Sequence, residues 1–271
     1  MSLLHLEVSD PRFESDGLRL LTITTPRLRG RGDIAVYVPP SARGVSAVPL
    51  VVLLHGVYGS HWGWAWRGGA HRTAARLIAA GKIPPMILAM PSDGLWGEGS
   101  AYVPQPTRDF ERWIVDDVPA TVALAESAVT AASPIFIAGL SMGGFGALSL
   151  AAKYPKRFAG ASGHSSATHI DQLDRVRTPG MEGIETASSH RSLKDLLRRT
   201  GAALPPFRFD CGTEDFLLAE NRALHADLTT AGIPHGYTEF PGGHEWPYWE
   251  EHLADSLKFF AGILAARGQA K

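Results

Sequence analysis

The sequence predicts an α/β fold in which helices cover both faces of a mostly parallel, doubly wound sheet. The runs Leu50–Leu54 and 135–138 are continuously hydrophobic, and each lies between a proline and a glycine-bearing turn. Continuous rather than alternating hydrophobicity is typical of strands that are buried on both faces, as in a parallel sheet. Helix-length segments separate such runs along most of the chain, and this alternation predicts the doubly wound arrangement.

The remaining elements follow from the same two patterns. Further short apolar runs predict strands at residues 85–90, 159–163 and 206–211. Segments of helical length and composition are residues 71–80, 109–130, 214–231 and 246–266. Near the N-terminus, Leu18–Thr25 and residues 32–38 are predicted as antiparallel strands joined by a turn. We expect this pair at an edge of the sheet, where antiparallel strands are commonly added to a parallel sheet.

Length and composition exclude several classes of protein. The 271 residues contain no convincing linker, so we expect a single domain over residues 1–271. The 26 basic and 27 acidic residues leave a net charge of -1, so the chain lacks the basic excess that nucleic-acid binding requires.

The chain has one cysteine, Cys211, so no intrachain disulfide forms. No basic and apolar leader and no membrane-length apolar stretch is present, so we expect a cytoplasmic protein without a membrane partner. Association into a homo-oligomer stays open.

A serine in the pattern G-x-S-x-G follows the second buried run. Ser141 lies between Gly139 and Gly143, after a predicted strand and before a segment rich in alanine and leucine. A tight strand-to-helix turn presents such a serine at the carboxyl end of the sheet, and small neighbours give its backbone room. The strand and helix on either side favour a nucleophile over an ordinary glycine-rich turn.

A serine hydroxyl needs a base to take its proton and a carboxylate to orient that base. In folds with this serine turn, the acid and then the histidine follow the serine along the chain. Asp215 lies just after the strand predicted at 206–211, with Glu214 as its local rival, and a helix cap is the alternative role for Asp215. His244 lies in a glycine-rich loop before the last helix, so we assign it as the base.

An oxyanion hole for the tetrahedral intermediate needs two backbone N–H donors. We expect one from Met142, which follows the nucleophile, and the other from Val57, in the loop after the strand that ends at His55-Gly56. His55 is expected to shape this loop.

At these motifs the chain resembles the putative-esterase branch of the α/β hydrolases, which includes esterase D, feruloyl and acetyl-xylan esterases and mycolyl transferases. The resemblance covers roughly residues 30 to 265 and rests on four segments: Leu53-Leu54-His55-Gly56, Ala138 to Gly144, Asp210 to Asp215, and Pro241-Gly242-Gly243-His244. It implies the α/β-hydrolase fold and the hydrolysis of small acyl or aryl esters through an acyl-enzyme on Ser141. Acyl transfer to a sugar or another alcohol, and a non-catalytic binding protein on the same scaffold, are the alternatives.

Tryptophans set this chain apart from that branch. Trp62, Trp64 and Trp66 alternate along one segment, and Trp96 lies in a second loop that is expected on the same face. Alternation puts the first three on one side of an extended segment. We expect Trp64 and Trp96 to contact the substrate; the alternative is that the tryptophans pack together as the core of these loops. The histidines show no metal-ligand spacing and no dinucleotide or phosphate-binding fingerprint follows a strand, so neither a metal nor a cofactor is expected.

Overall fold

In the part of the chain that the structure describes, nine strands form one central sheet. A computed structural model describes residues 5–95, 99–176 and 184–269. Its strands are β1 (His5–Val8), β2 (Leu18–Thr25), β3 (Gly30–Tyr37), β4 (Leu50–Leu54), β5 (Ile87–Pro91), β6 (Ile135–Leu140), β7 (Gly160–His164), β8 (Phe207–Gly212) and β9 (Gly236–Phe240).

The order of the strands across the sheet is β1-β2-β3-β5-β4-β6-β7-β8-β9. The block from β5 to β9 is parallel, whereas β1, β2 and β3 pair antiparallel with their neighbours and with β5. The predicted fold class, a mostly parallel sheet with antiparallel N-terminal edge strands, is confirmed. The chain adds β5 on one side of β4 and β6 on the other, so the carboxyl ends of β4 and β6 flank the crevice where such sheets bind ligands.

Helices cover both faces of the sheet. They are α1 (Gly63–Trp66), α2 (Ala70–Ala79), α3 (Phe110–Arg112), α4 (Val118–Ala125), α5 (Met142–Lys153), α6 (Leu193–Thr200), α7 (Leu218–Thr230) and α8 (Trp246–Gln269). A π turn at Trp113–Asp117 joins α3 to α4, and 3₁₀ turns lie at Pro11–Phe13, Pro40–Ala42, Ile170–Arg175, Ser188–His190 and Gly201–Ala203. Within the described ranges, no helix is long and apolar enough to span a membrane.

The two faces of β4 show how the core is built. Leu50, Val52 and Leu54 point to one side and pack in the cluster that includes residues of α4 to α7. Val51 and Leu53 point to the other side and pack with residues of α1, α2 and α8. Successive side chains of a strand face opposite ways, so a strand between two helical layers must be apolar at every position. This explains the continuous apolar runs in the sequence.

The structure corrects one predicted helix and adds elements. Residues 109–130 were expected to form one helix, but α3, the π turn and α4 divide the segment, and α4 ends at Ala125. Strand β1 and helix α6 were not predicted. The extent of the single domain over residues 1–271 stays a prediction.

Candidate active site

The turn between β6 and α5 leaves no room for side chains next to Ser141. A Cβ atom on Gly139 would lie 2.2 Å from the carbonyl oxygen of Gly143, and one on Gly143 would lie 2.3 Å from that of Leu54. Ser141 itself adopts φ 55° and ψ -118°, a strained conformation for a residue with a side chain. Its N–H donates to the carbonyl of His164 on the neighbouring strand at 2.9 Å, which fixes the turn. The G-x-S-x-G pattern is therefore a packing requirement of this sharp turn.

The loops after β8 and β9 are joined by backbone contacts. The N–H of Thr213 donates to the carbonyl of Phe240 at 2.8 Å, and the N–H of Glu214 donates to that of Gly242 at 2.9 Å. A Cβ on Gly212 would lie 2.2 Å from the Gly242 oxygen, so the two loops touch through glycine. These contacts place the loop with the predicted acid directly against the loop with the predicted base.

The structure brings Ser141, Asp215 and His244 into one hydrogen-bonded row. His244 Nδ1 lies 2.9 Å from Asp215 Oδ2, and His244 Nε2 lies 3.0 Å from Ser141 Oγ. The Asp215 side chain is fully buried and that of His244 is 17% exposed. With Nδ1–H donating to the carboxylate, Nε2 is left to accept the serine proton. The rival acid Glu214 has an exposed side chain, and the carboxylate beside the imidazole is that of Asp215.

Asp215 is surrounded by groups that favour its ionised form. Burial alone would raise the pKa of this carboxyl, but hydrogen bonds from His244 and from the N–H of Leu217, together with the charge of His244, hold it below its usual value. The Leu217 N–H lies 2.8 Å from Asp215 Oδ1. This bond lies in the turn before α7, whose N-cap is Leu217 with no side-chain hydrogen bond to cap it, so the alternative role of Asp215 as the helix cap is wrong. An ionised acid is what the imidazole needs as a partner when it becomes charged.

His55 holds the loop that carries the first predicted oxyanion donor. Its Nε2 accepts the N–H of Asp93 at 2.9 Å, so its Nδ1–H donates to the carbonyl of Gly56 at 2.7 Å. Burial lowers the pKa of His55 and keeps the neutral ring that this pattern requires. A trans peptide is planar, so fixing the Gly56 carbonyl also fixes the direction of the Val57 N–H. The second predicted donor, the N–H of Met142, lies at the N-terminus of α5.

A cavity of about 600 Å³ opens beside Ser141 and His244. Among the residues that the structure describes, five aromatic side chains line it: Tyr58, Trp62, Phe216, Trp246 and Trp249. Val57 and the charged side chains Arg67 and Glu245 also reach it, and the Arg67 guanidinium lies 5.6 Å from the centre of the Trp246 ring. Across the part of the chain that the structure describes, no three His, Cys, Asp or Glu side chains gather in a way that could hold a metal ion.

The prediction that Trp64 contacts the substrate is wrong. Trp64 is 1% exposed, its indole N–H donates to the carbonyl of Leu54 at 3.0 Å, and its ring packs edge-on against Trp246. The segment is a helical turn rather than an extended strand, so successive side chains rotate by about 100° and do not alternate. Trp62 and Trp66 consequently face outward, at 42% and 55% exposure, whereas Trp64 faces inward. Trp96, the other predicted contact, lies outside the described residues.

Aromatic side chains that the sequence analysis did not single out hold the imidazole. The ring centre of Phe216 lies 4.5 Å from that of His244, and the Trp249 ring meets His244 edge-on at 5.0 Å. Phe216 follows the acid directly and Trp249 lies on the first turns of α8, after the base. Their closeness in sequence to the acid and the base was a signal that could have identified them.

Comparisons with known proteins agree with this geometry. An acetyl esterase of Caldicellulosiruptor saccharolyticus is 26% identical over 230 residues, which are 78% of this chain and 82% of the relative. A solved ferulic acid esterase superposes with a TM-score of 0.75 at 22% identity, over 96% of this chain and 98% of the other. An S-formylglutathione hydrolase from Agrobacterium tumefaciens superposes with a TM-score of 0.75 at 20% identity, over 97% and 100%. The two superpositions show the fold.

The family match extends over most of the chain. A family model described as Putative esterase matches residues 25–260. The matches favour neither acyl transfer nor a non-catalytic scaffold, because the relatives are named as esterases and hydrolases. The chain therefore belongs to the Putative esterase family of α/β hydrolases, and its activity is that of a serine ester hydrolase.

Proposed function

We propose that Ser141, His244 and Asp215 are the nucleophile, the base and the orienting acid of this hydrolase. The observation that carries the proposal is the row of two hydrogen bonds, 3.0 Å from Ser141 Oγ to His244 Nε2 and 2.9 Å from His244 Nδ1 to Asp215 Oδ2. In the first half-reaction Ser141 Oγ attacks the ester carbonyl carbon while His244 Nε2 takes the hydroxyl proton. The carbon–oxygen bond to the alcohol then breaks, the alcohol leaves with the proton from His244, and the acyl group stays on Ser141 as an ester.

Water completes the second half-reaction. His244 takes a proton from the water as its oxygen attacks the acyl-enzyme, and returns it to Ser141 Oγ as the carboxylic acid leaves. In both halves a negative charge develops on the carbonyl oxygen, and the N–H groups of Val57 and Met142 are its proposed donors. One such donor typically contributes about 3–4 kcal/mol to the lowering of the barrier.

The proposed substrates are esters of small acyl or aryl groups. A cavity of about 600 Å³ with aromatic walls suits a compact, flat group better than a long aliphatic chain. The names of two similar proteins, an acetyl esterase and a ferulic acid esterase, support this substrate class. The expected cytoplasmic location and the open homo-oligomeric state remain predictions.

Replacing Ser141 tests the assignment of the nucleophile. We expect Ser141→Ala to lower kcat for p-nitrophenyl acetate by about 10⁴-fold or more while leaving the thermal unfolding midpoint near that of the wild type, because the members of a triad act as a unit. A fluorophosphonate probe followed by peptide mass spectrometry should label Ser141 in the wild type. Ser166→Ala, which changes another buried serine, is the matched control and should keep both activity and labelling. A Ser141→Ala variant with a tenth of the wild-type rate would refute the assignment.

A further inference from the structure

Two successive peptide groups, on either side of Gly56, determine where the Val57 N–H points. The carbonyl of the second peptide, that of Gly56, accepts from His55 Nδ1–H at 2.7 Å and from the N–H of Gly59 at 3.0 Å. Glycine restricts the rotation of neighbouring peptides less than any other residue. A Cβ on Gly56 would lie 3.2 Å from that of Ser141, so a rotation here moves the donor relative to the nucleophile. The direction of the Val57 N–H therefore also depends on what holds the first peptide, between His55 and Gly56.

Tyr102, which the reaction described above does not use, contacts that first peptide. Its hydroxyl donates to the carbonyl of His55 at 2.9 Å, and its ring meets the His55 ring edge-on with 6.0 Å between the ring centres. Both side chains are fully buried. A buried carbonyl needs a hydrogen-bond donor, and here a side chain from elsewhere in the chain provides one. Tyr102 thus holds the main chain of His55, whereas the His55 ring holds the next peptide.

The position of the Tyr102 ring requires two unusual features of the chain. Ala101 and Tyr102 have φ values of 53° and 56°, in the left-handed region that residues with a side chain rarely adopt. On the other side of the ring, a Cβ on Gly146 of α5 would lie 2.5 Å from Tyr102 Cδ2. Helix α5 begins at Met142, the other proposed oxyanion donor. Tyr102 therefore lies between the two segments that carry the proposed donors.

Hydrogen bonds join Tyr102 to Asp93, which holds the other side of His55. The Asp93 N–H donates to His55 Nε2 at 2.9 Å, and the Asp93 carboxylate accepts the N–H groups of Leu95 and Ser100, each at 2.9 Å. The Ser100 hydroxyl accepts the Tyr102 N–H at 3.2 Å and donates to the carbonyl of Asp93 at 3.1 Å. Asp93 and Tyr102 are thus linked through Ser100, and together they contact His55 at its ring and at its carbonyl.

We propose that Tyr102 is a positioning residue of the reaction: its hydroxyl holds the His55–Gly56 peptide and so directs the Val57 N–H towards the oxygen that becomes negative in the transition state. The proposal rests on the proposed function of Ser141 and of the oxyanion donors. The ester oxygen gains its charge only as the tetrahedral intermediate forms, so a misdirected donor raises the barrier more than it weakens substrate binding. Both half-reactions pass through such an intermediate, so both slow down together when the hydroxyl is removed.

The test compares Tyr102→Phe with Tyr154→Phe. Both variants keep the ring and remove a hydroxyl that donates a hydrogen bond, but Tyr154 donates to Glu111 and does not line the cavity beside Ser141. The measurements are kcat and KM for p-nitrophenyl acetate and the Ki of a benzyl trifluoromethyl ketone. Ser141 Oγ adds to the ketone carbon, its proton passes to His244, and the ketone oxygen becomes the oxyanion of the adduct.

For Tyr102→Phe we expect kcat to fall about 10-fold with KM nearly unchanged, and Ki to rise about 10-fold. The loss is smaller than the roughly 10²-fold or more for removal of a donor, because the Val57 N–H remains but points less accurately. Tyr154→Phe should keep the wild-type kcat, KM and Ki. A burst titration of p-nitrophenol counts the active enzyme molecules, so a fraction of unfolded protein does not enter the comparison.

A second variant decides the question if Tyr102→Phe does not fold. Ser100→Ala keeps the Tyr102 hydroxyl but removes the two hydrogen bonds that connect Tyr102 to Asp93. Because Tyr102 is then held less firmly, we expect a smaller change of the same kind, a Ki about 3-fold higher at an unchanged KM. A folded Ser100→Ala with the wild-type Ki would then refute the proposal.

Two results for a folded Tyr102→Phe overturn the proposal. A lower unfolding midpoint with kcat and Ki at their wild-type values would make Tyr102 a structural residue only. A higher KM at an unchanged kcat would show that the hydroxyl serves substrate binding rather than the transition state. Failure of the proposed function looks different, since Ser141→Ala would then keep its activity and would bind the trifluoromethyl ketone as tightly as the wild type.

Discussion

At the scale of single residues, Trp62 and Trp64 are two positions apart and have opposite environments. Trp62 is 42% exposed and lines the cavity beside Ser141, whereas Trp64 is buried under it. We expect Trp62→Ala to enlarge the cavity and raise the ratio of kcat/KM for octanoyl to that for acetyl esters about 10-fold or more, since each fitted methylene contributes about 1–3 kcal/mol. The wild type should prefer chains of about two to four carbons. Trp64→Ala should keep that preference and lower the free energy of unfolding by about 3–5 kcal/mol.

A p-nitrophenyl ester series and urea unfolding of the same variants provide the measurement. Trp66→Ala is the control, because Trp66 is 55% exposed and does not line this cavity, so neither quantity should change. If Trp64→Ala changed the preference for acyl-chain length at unchanged stability, Trp64 would contact the substrate after all. The sequence showed the tryptophans but not their directions, because a four-residue helical turn such as Gly63–Trp66 is too short to produce a readable period.

At the scale of elements, the π turn at Trp113–Asp117 has a cause in the sequence. Pro119 has no N–H to offer the carbonyl of Val115, four residues earlier, and its ring crowds that carbonyl. The Nε–H of Arg157 donates to the Val115 oxygen instead, at 3.2 Å. We expect Arg157→Ala to lower the free energy of unfolding by about 1 kcal/mol, and to cost less in a Pro119→Ala background, where the restored N–H can serve Val115.

Urea unfolding of the two single variants and the double variant measures this coupling. Lys156→Ala, a change at the exposed neighbouring residue, should leave stability unchanged in either background. An equal cost of Arg157→Ala in both backgrounds would show that the side chain does not compensate for the proline. The end of α4 at Ala125, unlike the π turn, has no cause that can be read from the local sequence. The next residue, Glu126, forms an ion pair with Arg19 of β2, and this contact joins residues far apart in the chain.

The predictable part of the site is the part that local backbone geometry determines. The nucleophile turn could be identified because two glycines must be where they are for it to close. The acid and the base could be identified because chain order in the fold restricts where they lie. The cavity walls could not be identified from local sequence, since Tyr58 and Trp246 come from segments far apart in the chain that meet only in the folded protein.

At the scale of the whole molecule, a buried polar network ties the last helix to the sheet. His164 and Asp210 sit opposite each other on β7 and β8, with 3.0 Å between His164 Nδ1 and Asp210 Oδ1. Ser256 and Tyr248, both on α8, reach His164 Nε2 at 2.8 Å and Asp210 Oδ1 at 2.9 Å, and Arg208 lies 2.9 Å from Asp210 Oδ2. This is a second Ser–His–Asp row, but all three side chains are fully buried, so its role is to hold the fold.

The charge of Asp210 should make the stability of the protein depend on pH. Burial alone would raise the pKa of Asp210, but His164, Arg208 and Tyr248 together hold it below its usual value. A group whose pKa is lowered in the folded state contributes stability that is fully present above its unfolded pKa, about 4, and is lost as the pH falls through its folded pKa.

At pH 7, Asp210→Asn should lower the free energy of unfolding by about 3–5 kcal/mol, because it leaves the buried guanidinium of Arg208 without its partner. Below about pH 4 the gap to the wild type should narrow by up to about 1.4 kcal/mol per pH unit. Urea unfolding at pH 7 and pH 3 measures the gap, with the exposed Asp16→Asn as a control of small effect. A gap of equal width at both pH values would show that the ionisation of Asp210 does not stabilise the folded state.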